Sequence, residues 1–240
     1  MGVPSVRRAC AVLLPVTGLA WAAVMAPASG ATSDQLEAAL LTGQEVPSMY
    51  QAAPASATPS PEPEVTVSDP ACRPLVRSGE GLNVSATREF HASEETLPPD
   101  VPSEVDVHLD SGTPAELDTK FDAFDAALQT CKNFSVTTEG TTYQATITGA
   151  AADQGLSVRS SGYRMTITVE GQTINAAFIV ARALDDTVVA VTALGDDPSV
   201  LVPYEFVVPQ IDKVRQVVGG IAPEPGGSGS SPQAGPTTAI

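Results

Sequence analysis

Residues 70–219 read as an α+β fold, a twisted antiparallel sheet of about five to seven strands with helices packed on one side. Three observations predict it. Segments rich in Thr, Val, Ile and Tyr follow one another from residue 133 to 195, the composition that pleated, half-buried surfaces prefer. The breaks between them are short, "EG", "SG", "GQ" and "DD", and two-residue connections join antiparallel neighbours because a parallel pair needs a long crossover. Helical patterns lie at 114–130 and after Pro209, outside the run of strands.

The chain opens "MGVPSVRRACAVLLPVTGLAWAAVMAPASGATS". Arg7 and Arg8, an apolar run from Ala9 to Met25 and a small-residue exit make the three-part pattern of a secretory signal peptide over 1–31. Cleavage is expected after Ala28 or Ala31. An uncleaved anchor is the alternative, but Pro15 and Gly18 interrupt the run. A lipid-bearing cysteine follows such a run, whereas Cys10 precedes it, so no lipidation is expected there. The 12 basic and 28 acidic residues give the chain a net charge of −16. Loss of Arg7 and Arg8 with the leader leaves 10 basic residues against 28 acidic ones, or −18. Such a surface repels phosphate backbones, so no nucleic-acid partner is expected, and after leader cleavage no membrane span.

Residues 32–50 begin as a short helix. Thr32 and Gln35 have the spacing of a capping box, and Leu36, Leu40 and Leu41 supply an apolar edge. Gly43 and Pro47 end it. Residues 51–69 break all periodicity and read as a Pro/Ala/Ser-rich extended connector, and 220–240 as a Gly/Ser/Pro-rich tail.

Within 70–219, "GLNVSATREFHA" and "EVDVHLD" alternate as strands. Thr113 then stands as N-cap, with Pro114 at the first helical position and Glu116 completing a capping box. Leu117, Phe121, Phe124, Leu128 and Cys131 recur at spacings of four, three, four and three, so they share the buried face. Asp118, Lys120, Asp122 and Asp125 look outward. The strand-like run that follows includes "LSVRS" and "YRMTITVE" as separate pieces. Its most apolar members, "FIVARAL" and "TVVAVTAL", are expected at the centre of the sheet. Ile211, Val214 and Val217 form the apolar face of a closing helix that stops at Gly219.

Cys72 and Cys131 are the two cysteines left after the leader, and an even pair in an exported chain reads most simply as one disulfide. Two separate buried thiols are the alternative. No catalytic constellation emerges: there is no G-x-S-x-G elbow, no phosphate loop, and an oxidised Cys131 cannot act as a thiolate. A carboxylate pair such as Glu94 and Asp106 carries no specificity among 28 acids. His91 and His108 sit in strands, His108 on a polar face with Asp106 and Asp110. No ligand spacing supports a metal, and no cofactor is expected. "NVS" at Asn83 and "NFS" at Asn133 match the glycosylation triplet.

The order "LEAALLTGQEVPSMY", "DPACRPLV", "ALQTCKNF", "VARALDDTVVAVTALG" and "PQIDKVRQVV" resembles the extracytoplasmic sensor domains of actinobacteria over residues 34–218. That family is typified by the external domain of the mycobacterial receptor kinase PknH and its stand-alone secreted relatives. The resemblance implies an α+β domain with a central twisted antiparallel sheet, disulfide stapling and a groove for an envelope ligand. The kinase-borne domains carry two disulfides, whereas Cys72 and Cys131 provide for one. The chain is therefore expected to be a secreted, non-enzymatic sensor-like domain that binds a cell-envelope ligand or protein partner. An exported structural or adhesion module is the alternative.

Closing a loop of about 60 residues stabilises a fold by about 4 kcal/mol in the chain-entropy account. The double substitution Cys72→Ser/Cys131→Ser is expected to lower the unfolding free energy by that amount in a urea titration. Thiol titration of the unfolded, unreduced mature chain should find neither sulfur.

Overall fold

In the computed structural model, strand pairing begins from tight turns. Glu139–Gly140 and Glu170–Gly171 both take positive φ at each turn residue, 50° and 79° in the first and 49° and 82° in the second. That is the left-handed pair a type I′ hairpin needs, and its twist matches that of the flanking strands. The structure describes residues 30–57, 64–77, 79, 81–82, 84–93, 97–98, 100–150 and 155–221. The leader up to residue 29, six connector residues, the tail from 222, Asn83 and Glu94 lie outside the described residues.

The elements in chain order are α1 (Ser33–Ala39), β1 (Tyr50–Ala52), β2 (Val65–Val67), a 3-10 turn (Pro70–Cys72), α2 (Arg73–Val76), β3 (Val84–Ala92) and β4 (Glu104–Ser111). Then come α3 (Pro114–Thr130), β5 (Asn133–Thr138), β6 (Thr141–Ala150), β7 (Ser160–Val169), β8 (Gln172–Leu184), β9 (Thr187–Gly195) and α4 (Tyr204–Val217). All nine strands belong to one antiparallel sheet in the order β1-β3-β4-β9-β8-β7-β6-β5-β2. The α+β class and the central place of β8 and β9 agree with the sequence reading.

Three expectations need correction. The sheet has nine strands rather than five to seven. The extra ones come from the segment that composition marks as a connector: Tyr50–Ala52 pairs with β3 and Val65–Val67 with β5. Strands of three residues carry too little pattern to stand out among prolines. "LSVRS" is not a strand, and β7 starts at Ser160, running through the "SG" taken as a turn. The last correction concerns the helices, which lie on both faces of the sheet. Val105, Val107 and Leu109 of β4 join Ile179, Val189 and Val191 under α1 and α4. Val180, Val188 and Tyr163 face the other way, toward α2 and α3. The continuous apolar runs of β8 and β9 are the reason, since strands buried on both faces lose their alternation.

Both expected capping boxes form: Thr32 with Gln35 at α1, and Thr113 with Glu116 at α3. α3 buries Leu117, Phe121, Phe124 and Ala127, with Leu128 only partly covered. α4 starts at Tyr204, so Pro209 lies inside it rather than at its start. The missing N–H there removes one ladder bond near the helix start. Phe206, Val207, Ile211 and Val214 form its buried face, and Phe206 meets Tyr50 and Phe90 edge-on, each at 5.1 Å between ring centres. Val217, expected on that face, lies at its margin with 38% of its surface exposed.

The N-terminal segment is part of this core. Leu36, Leu40 and Leu41 are almost fully buried. Gln210 of α4 is fully buried too, and its side chain completes the end of α1: Nε2 donates to the Ala39 carbonyl at 2.7 Å and Oε1 accepts from the Leu41 N–H at 2.9 Å. Lys213 adds a bond to the Leu40 carbonyl at 2.8 Å and an ion pair with Glu45 at 2.6 Å. A buried backbone group left without a partner costs about 1–3 kcal/mol. Gln210→Leu strips a partner from two of them, and is expected to lower stability by about 2–4 kcal/mol, read by denaturant titration. Glu205→Gln on the same helix should leave the midpoint nearly unchanged.

Candidate functional site

The face of the sheet beneath α2 and α3 is only partly covered, and the gap is a cleft of about 440 Å³. That is within the ordinary range for small-molecule sites. Its floor is the sheet: Phe178 and Val180 of β8, Ala190 and Thr192 of β9, and Tyr163 of β7. Leu75, Val76 and Arg77 form one wall, Phe124 of α3 another, and His108 and Asp110 of β4 line the polar side. Strand alternation explains the assembly. His108 pairs with Ala190 and Asp110 with Val188, so these four side chains share one face.

The wall is held by two ties. Tyr163 is buried, stacked on Phe178 with ring centres 4.6 Å apart, and its hydroxyl donates to the Leu75 carbonyl. Burial pushes that hydroxyl's pKa up, so it remains a donor throughout the physiological range. The second tie lies just before α2. Cys72 and Cys131 are both buried, with their sulfurs at disulfide distance, 2.12 Å, and their Cα atoms 5.7 Å apart. This joins the 3-10 turn to the C-terminal end of α3. A thiol reading of either cysteine has no support in this geometry.

Asp110 is the most enclosed carboxyl of the site. Its pKa is raised because burial disfavours the charged form, while His108 and Lys120 pull it back. His108 Nε2 lies 3.6 Å from Asp110 Oδ1. Gly79 packs directly over this carboxyl, and a Cβ there would fall 2.6 Å from Oδ2. A side chain at 79 would therefore displace the acid. Next to the cleft, the same face carries Glu89, His91, Glu104 and Asp106. His91 sits 3.4 Å from Glu104 and 3.6 Å from Glu89. Asp106 has a buried Oδ1 with no hydrogen-bond partner, and its pKa is raised to about 6 by burial first, then by Glu104 and Glu89.

The sequence placed His108, Asp106 and Asp110 on one polar face, and the structure puts them together on β4. It adds His91, from the neighbouring β3, beside them. Among the described residues no three His, Cys, Asp or Glu side chains are placed to hold a metal ion. Asn133 accepts a hydrogen bond from Thr146 at 2.9 Å. Sequence reasoning passed over Tyr163, Arg77 and Gly79. Only an aromatic alternating with polar residues in a strand-like run hinted at the first, and nothing local marked the other two.

Asp106 binds its proton more tightly in the folded chain than in the unfolded one, where the ordinary value of 3.8 applies. Its contribution to stability is complete below about pH 4 and is lost as pH rises through about 6. Asp106→Asn is expected to flatten that fall, and to raise stability near pH 7 by on the order of 1 kcal/mol after discounting for partial exposure. Thermal melts across pH 4–8 check it.

No family model matches the chain, and no curated protein matches it. Among solved structures it is similar to the X-ray structure of an uncharacterized protein of Mycobacterium smegmatis, an Rv0999 ortholog. The identity is 14% and the TM-score 0.34, covering 73% of this chain and 90% of that one. A likeness that slight transfers neither fold nor role.

Proposed function

We propose that the chain is a secreted, non-enzymatic binding domain of the PknH-like sensor type, which takes a cell-envelope ligand in the cleft between α2, α3 and the sheet. The observation that carries this reading is the cleft itself: a largely apolar, aromatic floor with a few polar groups at its margins, Arg77 on the α2 wall and His108 and Asp110 on the β4 side. That distribution suits a ligand with an apolar body and a hydrogen-bonding end. Further support comes from the two ties at its wall, Tyr163 to Leu75 and Cys72 to Cys131, which set the cleft's shape before a ligand arrives. The paired sulfurs leave no thiolate for covalent chemistry. The same pair, with the leader pattern at the N-terminus, favours an extracytoplasmic location.

A ligand that binds the folded state alone stabilises it by mass action, by about 2.7 kcal/mol at a hundredfold excess over Kd. Organic and aqueous extracts of a bacterial cell envelope are therefore expected to raise the melting temperature of the mature protein by several degrees. Ala190→Phe, which fills the floor of the cleft, should abolish the shift. A shift of equal size in that variant, or none in the wild type, would remove the cleft as the binding site.

A further inference from the structure

A second cavity, of about 250 Å³, lies between α2 and α3. Three cations line it, Arg73 and Arg77 from the α2 turn and Lys120 from α3. Beyond Arg7 and Arg8 of the leader the chain has 10 basic residues against 28 acidic ones. Three of those 10 meet at this one pocket, and among the described residues no Asp or Glu lines it.

Local structure explains the gathering. The Arg77 N–H donates to the Arg73 carbonyl at 3.0 Å, so the two arginines stand one turn apart on the same side of α2. α3 divides its charges by flank. Asp118, Asp122 and Asp125 lie where Arg159 and Arg182 pair with them, whereas Lys120 and Ala123 face α2. The acids one turn before the cations are committed elsewhere. Asp69 accepts from the Ala71 N–H at 2.9 Å, and Glu116 from the Thr113 N–H and hydroxyl, each at 2.8 Å. Arg73 Nη1 donates to the Val65 carbonyl at 3.2 Å, and all three cations make contacts within the protein that hold them in place. Five N–H groups on a guanidinium and three on an ammonium let a ligand bond alongside those contacts. The Cys72–Cys131 pair and the Tyr163–Leu75 bond tie α2 to α3 and to the sheet, so the spacing of the cations is set in advance.

The pocket adjoins the cleft. Arg77 lines both. Lys120 lines both the pocket and a narrow apolar gap under α3, which shares Asp110, Phe124 and Val180 with the cleft. The number of cations selects the group that fits. One arginine fork satisfies the two oxygens of a carboxylate, whereas the terminal oxygens of a phosphate ester accept from several sides. Charge selects size. At physiological ionic strength a field fades over about 8 Å, so a single phosphate responds chiefly to the three cations. A polyanion would also meet the acidic surface around them. Resting on the reading of the cleft as the ligand site, we propose that the pocket of Arg73, Arg77 and Lys120 binds the phosphate end of an anionic amphiphile whose apolar part occupies the cleft.

The test titrates the mature chain by calorimetry with dihexanoyl phosphatidic acid, with the dihexanoylglycerol that lacks only its phosphate, and with inorganic phosphate. The phosphatidic acid is expected to bind about tenfold tighter than the diacylglycerol, and inorganic phosphate to compete with the former alone. Lys120→Gln should weaken the phosphatidic acid several-fold and leave the diacylglycerol unchanged. Arg73→Gln/Lys120→Gln should erase the preference, and the single variant decides if the double one fails to fold. Ala190→Phe should abolish binding of both lipids and spare that of inorganic phosphate. Equal affinity for the two lipids, or a preference that Lys120→Gln leaves unchanged, would overturn the assignment and leave the cleft reading standing. Binding of neither lipid would overturn it together with the cleft reading, whether or not inorganic phosphate binds.

Discussion

Nine strands side by side make a sheet roughly 40 Å wide, at about 4.8 Å per strand. A helix with its side chains covers about 10 Å. Two helices on each face therefore bury only about half of either surface. This mismatch between sheet width and helical cover is the constraint on which the rest depends. Where cover is complete, the core is apolar on both sides of β8 and β9. Where it stops, the sheet must be polar or must form the floor of something open. The cleft beside α3 and the polar face of β5–β7, where Thr146 donates to Asn133 and Thr166 to Asn175, are the two outcomes, on opposite faces.

The polar groups follow the same boundary. Gln210 sits deep in one core, and its two bonds go to backbone groups that α1 leaves unpaired at its end. A buried amide with both ends satisfied is tolerated, and it fixes where α1 lies on α4. Asp106 and Asp110 sit at the edge of the other core, where cover thins out. They are enclosed enough for burial to raise their pKa, and close enough to histidines to moderate it. Further out, Arg159 meets Asp122 at 2.8 Å and Asp125 at 3.1 Å on the exposed side of α3. Such pairs orient side chains at the surface and contribute little to stability.

Elements with a strong local signal were legible in advance. Thr113, Pro114 and Glu116 start α3 where the capping box places it, and the spacing of Leu117, Phe121 and Phe124 identifies the buried face. β1 and β2 were not legible, because three residues between prolines define no period, and their strand character comes from the partner they meet. The one-sided helix layer was wrong for a related reason. A run such as "FIVARAL" says that both faces are buried, but it does not say what buries them. Of the site, the shared face of Asp106, His108 and Asp110 could be read from alternation in β4. Tyr163 and Gly79 could not, since each acts through a neighbour tens of residues away, and Arg77 joins the cleft only through the placement of α2.

By itself, the sequence determined what is local, namely strand alternation, capped helix starts and the tight turns at Glu139–Gly140 and Asp185–Asp186, and its composition set the acidic charge and the even pair of cysteines. The local features depend on neighbours within a turn or a hairpin. Tertiary structure alone decided the width of the sheet, the division of helices between its faces and therefore the places left uncovered. Those depend on which distant segments compete to bury the same apolar surface, and that competition is resolved only when the whole chain is packed.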